Sequence, residues 1–217
     1  MCSGLKKWLK PKLTRWRDRL LLTPEQVAPL YRADAAHDFD HVLRVLANAE
    51  RIGCAEKADM GVLRTATLLH DIARADQRRT GVDHAAEGAR RARTMLTQAG
   101  HPTEFVEAVC HAIAAHRFRN ELAPQTLEAK ILYDADKLDS IGAVGIARVF
   151  AYGGHLNRPL YREDDSGEHT ALQEFRVKLS KIKERLFTRT AQKIAEERHH
   201  FMVAYFDQLA AEVAGQR

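Results

Sequence analysis

The chain carries eleven histidines in 217 residues, and some of them stand beside carboxylates or on inward-looking helix faces where metal chemistry could follow. In "AAHDFDHVLRV", His37, His41, Arg44 and Asn48 recur at i, i+4, i+7 and i+11, one face of a helix, while Phe39, Val42, Leu43 and Leu46 make the apolar face. In "RTATLLHDIARAD", His70 and Asp71 sit within an apolar run of Ala66, Leu68, Leu69, Ile72 and Ala73. In "ILYDADKLDSIGAVGIARVF", Asp136 and Lys137 stand among Ile131, Leu132, Leu138 and Ile141. A carboxylate buried in such surroundings is costly unless it is paired or bound to a metal ion. Two histidines and two aspartates make a hard nitrogen and oxygen donor set, suited to manganese, ferrous iron, magnesium or zinc with water completing the sphere. Taken singly, each of these residues is more often a hydrogen-bonded polar group of a core. The case for a shared ion is that three separate helices each turn such groups inward.

Those helices follow from the apolar period. From Pro24 onward the pattern is helical, with Gly and Pro at the joints and no alternating strand, so the fold class is all-α. Helices are expected over about 24–32, 38–52, 58–74, 83–99, 103–117, 124–137 and 139–151. Two long ones near 170–186 and 188–213 should pair as a hairpin, through Leu172, Phe175, Leu179, Ile182 and Leu186 on one arm and Ile194, Phe201, Met202, Tyr205, Leu209 and Val213 on the other. His70 and Asp71 would then lie inside a helix, pointing about 100° apart, and could share only an ion placed over the helix between them. The aperiodic stretch 152–169, "YGGHLNRPLYREDDSGEH", reads as a lid, a binding loop or a disordered connection.

Composition bounds the rest. No run approaches the length of a membrane span. Cys2, Cys54 and Cys110 are scattered without CxxC spacing, which argues for a reducing, cytoplasmic setting and against a disulfide framework or a cysteine zinc site. There is no P-loop, so ATP-driven work is not expected. The net charge of +5 resides at the start: residues 1–20 hold seven Lys and Arg against Asp18, leaving the remainder near −1. A basic arm at 1–22 is therefore expected ahead of one domain at 23–217, as a loosely packed arm or a contact for nucleic acid or an anionic membrane surface.

The order of a histidine, a His-Asp pair and a distant aspartate resembles the signature of the HD superfamily of metal-dependent phosphohydrolases, matched here by His41, His70, Asp71 and Asp136. Over roughly residues 30–213, with "AHDFDHVLRV", "DADKLDSIGAVGIARVFAYGG" and "KLSKIKERLFTRTAQKIAEERHHFMVAYF", the chain is similar to the small bacterial HD-domain nucleotide pyrophosphohydrolases. The resemblance implies an HD-domain helical bundle, a divalent cofactor (manganese foremost) on those four residues, and hydrolysis of a nucleotide. Release of pyrophosphate from a nucleoside triphosphate is the leading expectation; a phosphatase or phosphodiesterase, or a non-catalytic metal-containing nucleotide sensor, is the alternative. It also implies that Asp71 doubles as ligand and proton acceptor, that His37, Arg44 and Lys137 offset phosphoryl charge, and that His84 and His116 contact substrate or a second ion. Helical phase favours His116, which shares a face with Phe105, Val109, Ala112 and Ile113, over His111, expected at the surface. Lys137 and Arg148 could instead be an ion-pair partner and a packing residue. Asp76, in "IARADQRR", is a weak candidate for water activation, because Arg74 stands near the position where related nucleotidases carry an acid. A homodimer through one of the last helices is the remaining expected partner.

Overall fold

Side-chain capping decides where most helices begin in the computed structural model, which describes residues 22–31, 39–117, 122–163 and 169–217. Thr23, Asp59, Asp83, Thr126, Thr170 and Thr188 each accept hydrogen bonds from first-turn backbone N–H groups. The elements are α1 Pro24–Val27 with a 3-10 turn Ala28–Leu30, α2 Phe39–Glu56, α3 Met60–Leu69, α4 Arg74–Thr80 and α5 His84–Gln98. They continue with α6 Thr103–Ala115, α7 Leu127–Leu138, α8 Gly142–His155, α9 Ala171–Val177, a 3-10 stretch Leu179–Arg185 and α10 Arg189–Val213. No strand occurs among the described residues, and none of their helices is long and apolar enough to cross a membrane. The basic arm and His37 lie outside the described residues, as do 164–168 of the expected loop.

The central helix is α3, buried on nearly all sides through Val62, Leu63, Thr65, Ala66, Thr67, Leu68 and Leu69. It packs against α2, α6 and α7, the three neighbours that bring polar groups toward its C-terminal end. Cys110 is buried and Cys54 exposed, both free.

Three departures from the sequence expectation have local causes. The helix expected over 58–74 stops at Leu69, and residues 70–73 form a turn before α4. Side chains satisfy carbonyls near the break: Tyr31 Oη donates to Leu68 O at 2.8 Å, and His70 Nδ1 approaches Thr67 O at 2.7 Å. The first arm of the C-terminal pair is likewise not one helix, since the chain bends at Lys178 from α9 into the 3-10 stretch. Its expected stripe still faces α10, with Leu172, Leu179, Ile182 and Leu186 buried and Phe175 stacked on Phe206 at 4.5 Å. On α10 the buried line runs through Ile194, Met202 and Phe206, which turns Phe201 and Val213 out to solvent.

The joint after α7 is tight and matters for the site. Gly142 takes φ 75°, a conformation open to glycine at little cost, and a Cβ on Gly145 would collide with the Ser140 carbonyl. This close turn folds α8 back so that its Arg148 reaches Asp139.

Candidate metal centre

Breaking the helix at Leu69 lets His70 and Asp71 point to one place instead of diverging along a helix surface. Both are buried, as are His41 from α2, His84 from α5 and His116 at the end of α6. The rings form an arc: His41 and His70 centroids are 5.5 Å apart, His70 and His116 5.1 Å, His116 and His84 5.2 Å.

All four rings are held from behind through Nδ1. His41 Nδ1 lies 2.7 Å from Asp139 Oδ2, His70 Nδ1 2.7 Å from Thr67 O and His116 Nδ1 2.6 Å from Ile113 O, while His84 Nδ1 contacts Gln77 Oε1. For His41, His70 and His116 an oxygen acceptor behind Nδ1 puts a proton there and leaves Nε2 as the coordinating atom of the neutral ring. The four Nε2 atoms converge on Asp71. His41 and His70 lie 3.9 and 3.8 Å from Oδ2, and His84 and His116 lie 3.2 and 3.6 Å from Oδ1.

The result is two triads that share one carboxylate, His41 with His70 and Asp71, and Asp71 with His84 and His116. Within each, the donor atoms lie within 4.8 Å of one another. His84 Nε2 lies 3.2 Å from Asp71 Oδ1 and 3.3 Å from His116 Nε2, so the donor atoms of the second triad crowd around one point. Two buried atoms add to this: His70 Nε2 and Asp71 Oδ1 find no hydrogen-bond partner among the described residues. Buried polar atoms are ordinarily satisfied, so this pair suits ligation of an ion, and the buried His/Asp cluster fits a metal site.

Electrostatics agree with that reading for His70 and Asp71, whereas His41 is held protonated at neutral pH and must give up a proton to bind an ion. Burial pushes the His70 imidazole down to about 4, so it stays neutral. Burial acts likewise on His41, but hydrogen bonds and charge from Asp136 and Asp139 outweigh it and lift the ring to about 9. Burial opposes ionisation of Asp71, yet His70 and the flanking His116 and His84 hold its carboxyl well below the usual range.

The expected residues are placed unevenly. Asp136 Oδ1 approaches His41 Nε2 at 3.3 Å, while its Oδ2 receives Lys137 Nζ at 2.6 Å. Asp136 therefore stands beside the first triad with the Lys137 ammonium at its edge. Arg44 turns toward Asp139, donating from Nε at 2.8 Å and from Nη2 at 3.2 Å. Arg148 donates to Asp139 as well, at 2.6 Å to Oδ2 and 3.1 Å to the backbone carbonyl. Asp76 does not join the cluster, because α4 carries it into ion pairs with Arg79 at 3.0 Å and Arg91 at 2.6 Å. His111 also stays apart, accepting the Gln125 N–H at 3.0 Å.

Two residues behind the rings escaped the sequence reading. Asp139 had a signal, lying three residues after Asp136 at helical spacing in the same "DADKLD" stretch. Gln77 had none, since its contact with His84 depends on how α4 folds back over α5. Arg74 joins them, with Nη1 3.1 Å from His84 Nδ1 and 3.4 Å from Gln77 Oε1.

Comparison with known proteins agrees with this geometry. The HD domain family model matches residues 38–141, which span α2 to the end of α7 and include both triads. Over 188 residues the chain is 37% identical to the uncharacterized protein YpgQ of Bacillus subtilis (strain 168), covering 83% of this chain and 86% of YpgQ. The crystal structure of Bacillus subtilis YpgQ in complex with ADP matches with a TM-score of 0.71 and 32% identity over 90% of this chain and 100% of that one. An HD-superfamily hydrolase from Bacillus thuringiensis matches with a TM-score of 0.75 and 30% identity over 93% and 98% of the two chains.

Proposed function

We propose that this chain, which belongs to the HD superfamily of metal-dependent phosphohydrolases, hydrolyses nucleoside triphosphates with release of pyrophosphate. The observation that carries the reading is the convergence of four Nε2 atoms on the two oxygens of Asp71. A nucleotide as substrate is supported by the ADP held in the crystal structure of YpgQ.

His41, His70, Asp71 and Asp136 would hold the ion, with His84 and His116 facing a second ion or the substrate phosphates. Manganese is the ion proposed, ahead of ferrous iron, magnesium and zinc, because the donors are mixed nitrogen and oxygen without thiolate. A divalent ion there supplies Lewis acidity toward a phosphoryl oxygen and makes water a stronger nucleophile at neutral pH. Asp71 orients the attacking water by accepting its hydrogen bond and takes up its proton on the way to solvent. Water adds to the α-phosphorus, the bond to the bridging oxygen breaks, and the leaving pyrophosphate keeps that electron pair. Lys137, whose ammonium borders Asp136, and Arg74, beside His84, offset the charge that builds on the phosphates. Arg44 serves this chemistry from behind His41, through Asp139.

The test is phosphorus NMR on manganese-loaded protein incubated with a panel of ribo- and deoxyribonucleoside triphosphates, quenched with chelator before the spectrum. Pyrophosphate with nucleoside monophosphate, absent with Asp71→Ala, is the expected result. Orthophosphate with diphosphate would move the reading to a phosphatase, and no product from any member would replace it with a nucleotide sensor.

A further inference from the structure

We propose that Phe187, standing over Tyr133 beside the Asp136–Lys137 edge of the metal centre, is the surface on which the base of the nucleotide stacks. This rests on the nucleotide reading above and adds the part of the substrate that the phosphate chemistry leaves unassigned.

A single exposed aromatic needs no explanation in general. Phe187 is set apart by how it is held. It is 45% exposed although the residues on either side of it, Leu186 and Thr188, are buried. Its backbone N–H donates to Asp134 Oδ1 at 2.9 Å, and Thr188 donates to Asp134 Oδ2 from both its N–H and its hydroxyl. The carboxylate they share is fully buried, so the chain is pinned on both sides of a side chain that points out.

Its contacts lead back to the metal centre. Phe187 meets Tyr133 edge to face, with ring centroids 5.1 Å apart. The Lys137 ammonium lies 5.0 Å from the centre of the Tyr133 ring and 2.6 Å from Asp136. The Arg185 guanidinium is close enough to act on the Tyr133 hydroxyl electrostatically. The Lys137 ammonium thus stands between the Asp136 carboxylate and the Tyr133 ring on which Phe187 rests, a cation for phosphate beside an aromatic for a base. Phe187 spends one side on Tyr133 and offers the rest. The planar, uncharged group that accompanies the phosphates of a nucleotide is its base.

Every base presents a π-face, so stacking of this kind tolerates sequence and is worth about 1–3 kcal/mol per base. Weak discrimination among bases therefore goes with the site.

The experiment is calorimetric titration of the manganese-loaded protein with ADP and, separately, with inorganic pyrophosphate, for wild type, Phe187→Ala and Phe187→Trp. Because Phe187 is exposed, neither variant disturbs the core. The expected result is an ADP Kd raised about ten-fold in Phe187→Ala, restored in Phe187→Trp, with the pyrophosphate Kd unchanged throughout. An unchanged ADP Kd in Phe187→Ala overturns the assignment, as does parallel weakening of both ligands. Wild type that binds neither ligand overturns it together with the nucleotide reading. Wild type that binds ADP through Phe187 but cleaves no triphosphate upholds the base site and removes only the hydrolysis.

Discussion

His41 and Asp139 are 98 residues apart in the chain, and their side chains meet at 2.7 Å through Nδ1 and Oδ2. The same carboxylate receives Arg44 and Arg148, so its position is fixed from three sides. A carboxylate behind a ligating imidazole sets the tautomer and raises ring basicity, and its loss costs about 10- to 100-fold in metal affinity. Asp139→Ala is expected to weaken manganese binding by that factor, read by electron paramagnetic resonance of the free ion. Asp139→Asn, which keeps one acceptor oxygen, should fall between. Wild-type affinity in the alanine variant would remove Asp139 from the metal centre.

Asp71 is common to both triads, whereas His84 belongs to one. Asp71→Ala should therefore abolish metal retention and lower pyrophosphate release by about 1000-fold, equivalent to about 4 kcal/mol at the transition state. His84→Gln should keep ion binding at the other triad. Metal analysis after gel filtration separates the two outcomes, and equal loss in both variants would mean the triads do not act separately.

An ion that binds only the folded chain adds stability by mass action, about 2.7 kcal/mol when present at one hundred times its Kd. Chelation should lower the melting temperature of the wild type measurably by calorimetry. It should leave that of Asp71→Ala unmoved, and a shift of the same size in both proteins would point to ions bound elsewhere.

The Asp134 carboxyl gives stability a pH dependence of its own. Burial lifts it from its ordinary 3.8 to about 6, against the lowering effect of the Phe187 and Thr188 donors. A folded-state value above the unfolded one means the native chain takes up a proton between those limits. The stability from this group is complete below about pH 4 and is lost as pH rises through about 6. Urea unfolding of wild type and Asp134→Asn across that window should differ by this contribution, with the wild type losing stability relative to the variant as pH rises. Thr188→Ala, which removes both the α10 cap and a donor to this carboxylate, is expected to cost about 1–3 kcal/mol at neutral pH.

Much of the fold was legible because most helices bury one face and announce it by period. The choice of His116 over His111 came from helical phase alone, and the structure puts one among the converging rings and the other on Gln125. The end of α3 was not legible: it depends on a hydroxyl from Tyr31 and a ring nitrogen from His70 taking carbonyls near the break, contacts that no local pattern records. The bend at Lys178 was hidden for a related reason, since the three-residue spacing of Leu179 and Ile182 suits an α-helix and a 3-10 turn alike. Within the site, His41, His70 and Asp71 stood out by type and context, and His84 and His116 entered through the family resemblance. Of those that aim them, Asp139 carried a signal in its spacing from Asp136, whereas Gln77 carried none, because its role is defined by what it reaches across space.

The break after Leu69 also decides which pole of a helix faces the site. The carbonyl end of a helix carries partial negative charge, and α3 presents that end at the start of the turn that holds His70 and Asp71. Together with the Asp71 carboxylate it gives the point where the two triads meet a field that favours a cation.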